Sequence, residues 1–295
     1  MNKDKRRLGD RYDGRRLRRT LAFFTVMPHI MKRRSDSIVL FDEVIDIENL
    51  EKYVRRKRKE DNLPGFSTYH LFIAAAVRMI TLRPWLNRFV IAGKIYARTN
   101  LTVSMSIKRG LNRDAEETTI KPEFSPTDTL YDVYRKINDA ITHEVMDSTV
   151  ENDTDMVARI LNRCPAWLIR VIVNLVNVLD HWGLMPKALN RLSPFHTSIY
   201  ITDVGSLGIG PVFHHIYDFG TTSVFMAIGK KETELIRGSD GSLEDKKVIR
   251  LRFTVDERIC DGYYYAESIR SMKRMLKNPE VLEQPPASTP ADAWI

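Results

Sequence analysis

Val248 to Leu276 reads VIRLRFTVDERICDGYYYAESIRSMKRML. The front of this stretch predicts a strand over 246–256, and its back predicts a helix over 263–277. Between them the chain turns at Asp261-Gly262. The charged triplet Asp256-Glu257-Arg258 stands where the strand runs out. Charged side chains set at a strand-to-helix corner are the most informative feature of the chain.

Outward from the corner, helices and strands mix. Residues 37–47, SIVLFDEVIDI, read as a strand, and Asp46 to Glu60 as a helix whose run Arg55–Lys59 suits the helix dipole in a solvated last turn. Ser67 to Leu82 is apolar on almost every face, which predicts a buried helix. Strands are expected over 94–98 and 101–108, and Asp128 or Thr129 caps an amphipathic helix. An apolar helix follows over 165–182, then a shorter one near 187–192. Further strands are expected at 197–204, 222–228 and 231–237, with Gly205, Gly208 and Gly210 making a flexible corner between the first two. The tail 278–295 holds four prolines and predicts disorder. No strict βαβ rhythm is present, so the class is α+β, a mixed α/β sandwich of one large mixed sheet with covering helices.

Composition excludes several classes. The 295 residues are 43% hydrophobic and 28% charged, which is globular and neither disordered, collagen-like nor disulfide-stapled. Cys164 and Cys260 are the only cysteines, too few for a disulfide framework or a zinc cluster, so a reducing cytosol is the expected compartment. No metal-ligand spacing, phosphate-binding loop or Gly-rich dinucleotide fingerprint occurs. Residues 1–34 hold twelve basic and three acidic side chains, while the remainder holds thirty-four and thirty-five. The net charge of +8 therefore comes from one end. A basic arm over 1–14 could hold phosphates of lipid, nucleotide or, less favoured, nucleic acid, or could stay solvated. Trp167 to Trp182 contains Arg170, Asn174, Asn177 and Asp180 and falls short of the ~20 apolar residues of a spanning helix, so a buried or interfacial helix is expected. No secretory signal is visible, and a cytoplasmic protein is expected.

The corner resembles the signature of the coenzyme A-dependent acyltransferases that include chloramphenicol acetyltransferase and the catalytic domain of the 2-oxoacid dehydrogenase acyltransferases. That signature is a His, three residues, then Asp-Gly, and in its dehydrogenase form His-Arg-x-x-Asp-Gly; here Arg258, Asp261 and Gly262 match the latter. Leu17 to Asn49 is similar to the start of the dehydrogenase catalytic domain. Residues 67–76 look like the buried helix both branches share, and 199–229, with Ser206-Leu207-Gly208, resemble the paired strands before the signature. The likeness covers roughly 15–277, with 150–195 as a poorly fitting helical insertion.

The resemblance implies a chloramphenicol acetyltransferase-like fold and a homotrimer with its site in a channel between neighbours. It implies coenzyme A or acyl-coenzyme A as substrate, and no metal. The signature His would take a proton from a thiol, a Ser or Thr hydroxyl would hold the oxyanion, and the motif Asp would pair with an Arg of the first helix. Arg18 and Arg19 are the favoured partners of Asp261. Lipoyl and subunit-binding domains have no counterpart in these residues. A stand-alone catalytic-type module without a covalent lipoyl group is expected, taking its acyl group from free acyl-coenzyme A or from a lipoyl domain on another chain. The acceptor is not specified.

At the decisive position the chain departs from this pattern. Glu257 stands where the His belongs. Moving a thiol proton to an ordinary carboxylate is uphill by about 6 kcal/mol, although desolvation raises carboxyl pKa values and could narrow the gap. The oxyanion position falls on Gly205, with Ser206 beside it. His214 and His215, in PVFHHIYDFG, are replacement bases to be weighed against an ordinary half-buried and exposed pair. Three functions follow: an acyltransferase with a rearranged base, a non-catalytic scaffold that keeps the fold, and a peripheral membrane or nucleic-acid binder using the basic arm and the 167–182 helix.

Overall fold

The computed structural model describes residues 6–108, 117–146, 163–237 and 241–295. Its larger sheet is mixed. The strand order is β2 (Ile38–Asp46), β10 (Leu243–Asp256), β9 (Val224–Arg237), β8 (Ile199–Asp203), β5 (Leu101–Lys108) and β6 (Glu117–Ile120), and β7 (Glu123–Phe124) also pairs with β5. β10 is antiparallel to both β2 and β9, whereas β8 is parallel to β9 and β5. A smaller antiparallel sheet joins β1 (Gly14–Arg16), β4 (Lys94–Arg98) and β3 (Arg88–Ile91). The helices are α1 (Ala22–Ile30), α2 (Glu48–Glu60), α3 (Thr68–Leu82), α4 (Leu130–Met146), α5 (Ala166–His181), α6 (Lys187–Leu192) and α7 (Gly262–Lys277). The mixed class with one large sheet and covering helices is thus borne out.

The core forms where the apolar faces meet. β10 turns Ile249, Leu251, Phe253 and Val255 inward, as period-two alternation requires. α3 buries every residue from His70 to Thr81. α5 differs: it lies on the surface, and Asp180 is its one buried residue.

Three expectations change. First, 222–228 and 231–237 form one strand, β9. Its pairing with β10 shifts between Ile249 and Leu251, so a bulge replaces the expected break. Gly229 is required there, because a Cβ would collide with the ring of Pro211.

Second, the tail is packed rather than disordered. Its prolines remove backbone donors, but its side chains supply the anchors. Asp292 forms a bidentate pair with buried Arg88 (2.5 and 2.8 Å), and the guanidinium lies 4.6 Å from the Trp294 ring. Leu282 is buried, and Glu283 accepts from Tyr53.

Third, the described part of the arm, from Arg6, is folded down by its own acids. Asp10 accepts from the backbone of Arg7 and Arg16 and from the Arg18 side chain. Arg11 is 4% exposed between Asp13 and Asp180. Residues 1–5 lie outside the described residues, as does 147–162 of the expected insertion.

Candidate functional site

The strand-to-helix corner is built around a buried carboxylate, Asp256, which is fully shielded from solvent. Arg258, two residues on, grips it with both arms of the guanidinium (2.8 and 2.7 Å). The Ser37 hydroxyl donates to the same carboxylate at 2.9 Å. Arg34, also buried, brings its Nε to 3.8 Å. Arg34 is tied in turn to the carbonyls of Tyr217, Asp218 and Val90. Burial pushes the Arg34 guanidinium down, with Asp256 opposing. Two cations on one carboxylate leave the centre positive; carbonyls, including those of Met31 and Lys32 on Arg258, accept from the other guanidinium arms, while the buried Nε of Arg34 has no hydrogen-bond partner among the described residues. The backbone N–H of Glu257 donates to the carbonyl of Ser37, which leaves the Glu257 side chain half-buried at the bend.

This cluster corrects the expected pairing. Asp261 is exposed and caps α7, accepting from the backbone N–H of Tyr264 at 2.8 Å. Arg18 goes to Asp10 and to the carbonyl of Leu8, and the backbone N–H groups of Arg18 and Arg19 donate to the carbonyl of Trp294. The buried acid of the corner is instead Asp256, just ahead of the signature, and its partner from the N-terminal part of the chain is Arg34. Gly262 opens α7 beside the cap, with open space around it. Arg88 donates to the carbonyl of Ile259 at 3.1 Å, so the tail-bound arginine also braces the corner. Cys260 is buried, and burial pushes its thiol up, which makes it inert as a nucleophile.

The other sequence-predicted residues sit apart. Ser206 is exposed in the turn after β8, its hydroxyl donating to the carbonyl of Asp203 at 2.8 Å. The register of β8 on β9 places Asp203 opposite Ile228, at the far end of β9's buried half from the corner. One chain therefore separates Ser206 from Glu257 by about five strand residues, roughly 16 Å. His214 is half-buried and stacks on Phe225 (4.4 Å), which is paired with Thr254, three residues before Glu257. His215 is exposed, its ring edge against Tyr217. The loop carrying both is tied to β10, because Arg252 donates to the carbonyl of Pro211 and lies over Phe213.

Asp203 was not singled out by its sequence, where Gly205-Ser206 draws attention away from it. Burial raises its carboxyl despite the backbone N–H groups of Ser206 and Gly205. A further relay joins Asp180 to His196 (3.1 Å) and His196 to the Ser193 hydroxyl (2.7 Å). Arg11 holds the same Asp180, and His196 is 1% exposed, so the relay braces α5 against the body.

One cavity reaches the corner through Arg258 and a larger one lies away from it; Glu257 lines neither. One, of about 260 Å³, is bounded by Lys32, Arg34, Asp180, Asp218 and Arg258. The other, of about 870 Å³, lies between the end of α3, the β4–β5 turn and the tail, with Arg15, Arg98, Asn100, Lys136 and Asp292 on its walls. No cluster of three or more His, Cys, Asp or Glu suited to a metal occurs among the described residues.

A model of the family described as 2-oxoacid dehydrogenases acyltransferase (catalytic domain) matches residues 191–283, which contain the β8 turn, the His214-His215 loop and the whole corner. The chain resembles the 2-oxoacid dehydrogenase acyltransferase catalytic domain. Solved structures extend the likeness beyond that segment. A probable dihydrolipoamide acetyltransferase from Listeria monocytogenes has a TM-score of 0.55 at 14% identity, over 88% of this chain and 94% of that one. The Azotobacter vinelandii dihydrolipoamide acetyltransferase has 0.55 at 12%, over 83% of each chain. A truncated catalytic core of the 2-oxoacid dehydrogenase multienzyme complex from Thermoplasma acidophilum has 0.53 at 11%, over 89% and 98%. At such identities the structural likeness shows the acyltransferase-type fold alone. No curated protein matches the chain.

Proposed function

We propose that this chain is a coenzyme A-dependent acyltransferase that moves an acyl group between a thioester and an acceptor at a site completed by a second copy. The observation that carries this reading is the corner. Glu257 occupies the base position of the signature, on a bend fixed by the Asp256–Arg258–Arg34 cluster. The family match spans Asp256, Glu257 and Arg258, and does not include Arg34.

One chain does not bring Glu257 and Ser206 to a common acyl group. In a homotrimer, the corner of one copy would face the 205–208 turn of its neighbour. Exposed apolar side chains suit both contacts: Ile38 and Leu40 on β2 beside the corner, and Leu207, Ile209 and Phe213 beside the turn. In that arrangement Glu257 takes the proton of the coenzyme A or dihydrolipoamide thiol, and the thiolate attacks the donor carbonyl. The Ser206 hydroxyl donates to the resulting oxyanion. Collapse expels the leaving thiolate, which recovers the proton from Glu257. Asp203, whose carboxyl stands above the usual range, is a second proton acceptor beside Ser206.

One observation favours a second reading, a scaffold that keeps the fold without turnover: a carboxylate in place of the base costs about 6 kcal/mol in thiol activation at ordinary pKa values. Calorimetry with coenzyme A and thiol release from acetyl-coenzyme A, with dihydrolipoamide as acceptor, separate the two. Catalysis predicts binding, turnover, and a loss in kcat of about 100-fold or more in Glu257→Gln with little change in affinity. Binding without turnover supports the scaffold. An absence of coenzyme A binding ends the acyl-transfer reading.

A further inference from the structure

α5 holds ten large apolar side chains in sixteen residues, and none of them is buried. Trp167, Val171, Leu175 and Val178, with Trp182 just past the helix end, are exposed by 66, 54, 56, 53 and 72%. At 3.6 residues per turn these five fall within an arc of roughly 80°. Arg170, Asn174, Asn177 and His181 form a polar strip along one flank of that arc. The helix is fastened to the body at its C-terminal end, where Asp180 accepts from Arg11 at 2.6 Å and meets His196 at 3.1 Å. The outer arc is thus an apolar stripe with an indole at each end, held in place by one buried ionic clasp.

Within the segment that carries the stripe the exposed charges have one sign. From Arg163 to Phe195 the only acid is Asp180, which is buried and paired with Arg11. Arg163, Arg170, Lys187 and Arg191 are all exposed, and none has an ion-pair partner among the described residues. A second copy docked symmetrically on this face would bring the same four cations against themselves, with no exposed acid of this segment to meet them. An anionic lipid surface complements both the apolar stripe and its cationic border. Amphipathic helices that lie in the membrane interface have this composition, with Trp at headgroup depth and Lys or Arg beside phosphates.

We propose that α5 is an interfacial anchor that lays its outer arc on an anionic lipid surface. The attachment is peripheral: no helix among the described residues is long and apolar enough to cross a membrane. The proposal does not depend on acyl transfer.

The test is co-sedimentation of the full chain with vesicles of phosphatidylcholine alone and of phosphatidylcholine mixed with phosphatidylglycerol. Binding is expected on the mixed vesicles, weakening as salt rises. The Val171→Glu/Leu175→Glu variant should lower partitioning by about tenfold or more, and Arg170→Ser/Lys187→Ser by a few-fold. Both variants change exposed side chains, and unchanged circular dichroism would verify that they fold. Trp182→Ser, a smaller change, provides a second reading of the same face. Failure of the folded wild type to bind mixed vesicles overturns the proposal. So does equal binding by the Val171→Glu/Leu175→Glu variant. If sedimentation velocity instead shows that this variant loses a copy–copy contact while the wild type ignores vesicles, the face belongs to an oligomer.

Discussion

α3 and α5 are of nearly equal length and are both strongly apolar, yet α3 is buried from His70 to Thr81 while α5 buries Asp180 alone. The difference lies in what surrounds them. α3 is apolar around its whole circumference, and the sheet, α4 and α7 close over it. α5 has a polar side and one ionic clasp, and its widest apolar arc meets nothing among the described residues. Apolarity in a sequence says that a surface must be covered; it does not say by what.

The contrast can be broken most directly by truncation. Phe72→Ala in α3 removes a fully buried ring and is expected to cost about 3–5 kcal/mol in urea unfolding, whereas Leu175→Ala in α5 should stay within about 0.5 kcal/mol. Comparable losses at the two sites would mean that α5 is packed after all. The clasp comes next. Burial opposes ionisation of Asp180, but His196 and Arg11 outweigh it and hold the carboxyl below its ordinary range. Asp180→Ala strands buried Arg11 and should cost about 3 kcal/mol or more, with hydrogen exchange rising first in α5.

A pH effect separates the helices further. Burial pushes His70 down to about 4, and its Nδ1 accepts from the Ser67 backbone at the start of α3. The unfolded chain takes up this proton near pH 6.5, so the contribution is complete above that pH. It is lost as pH falls from about 6.5 to 4, by up to about 3 kcal/mol. Unfolding free energies of wild type and His70→Gln should converge toward pH 4 if this assignment holds. The smallest effect is at the helix starts. Ser67→Ala should cost about 1 kcal/mol, because its hydroxyl meets His70 Nδ1 at 3.0 Å. Pro165, which precedes α5, makes no side-chain cap, so Pro165→Ala should leave stability nearly unchanged.

What the sequence disclosed follows the same division. The final strand, the Asp261-Gly262 turn and the last helix were legible because alternation, turn chemistry and helical period coincide there. α3 was legible because all its faces agree. The buried acid of the corner and its partners were not. Asp256 ends β10 on the side away from Ile249, Leu251, Phe253 and Val255, where alternation predicts exposure, but Ser37, Arg34 and Arg258 cover it. The tail misled for a related reason. Four prolines describe its backbone, whereas Asp292 and Trp294 determine its fate by finding Arg88. Asp203 carries no local signal, since its raised carboxyl reflects burial by distant elements.

The bond between Ser37 and Asp256 joins positions 219 residues apart, and β2 pairs with β10 over a similar span. Closing so long a loop precedes any return from the contacts it enables, which slows folding. The bend bearing Glu257 is therefore among the last parts to take shape during refolding, and until then β10 presents an open edge to other chains.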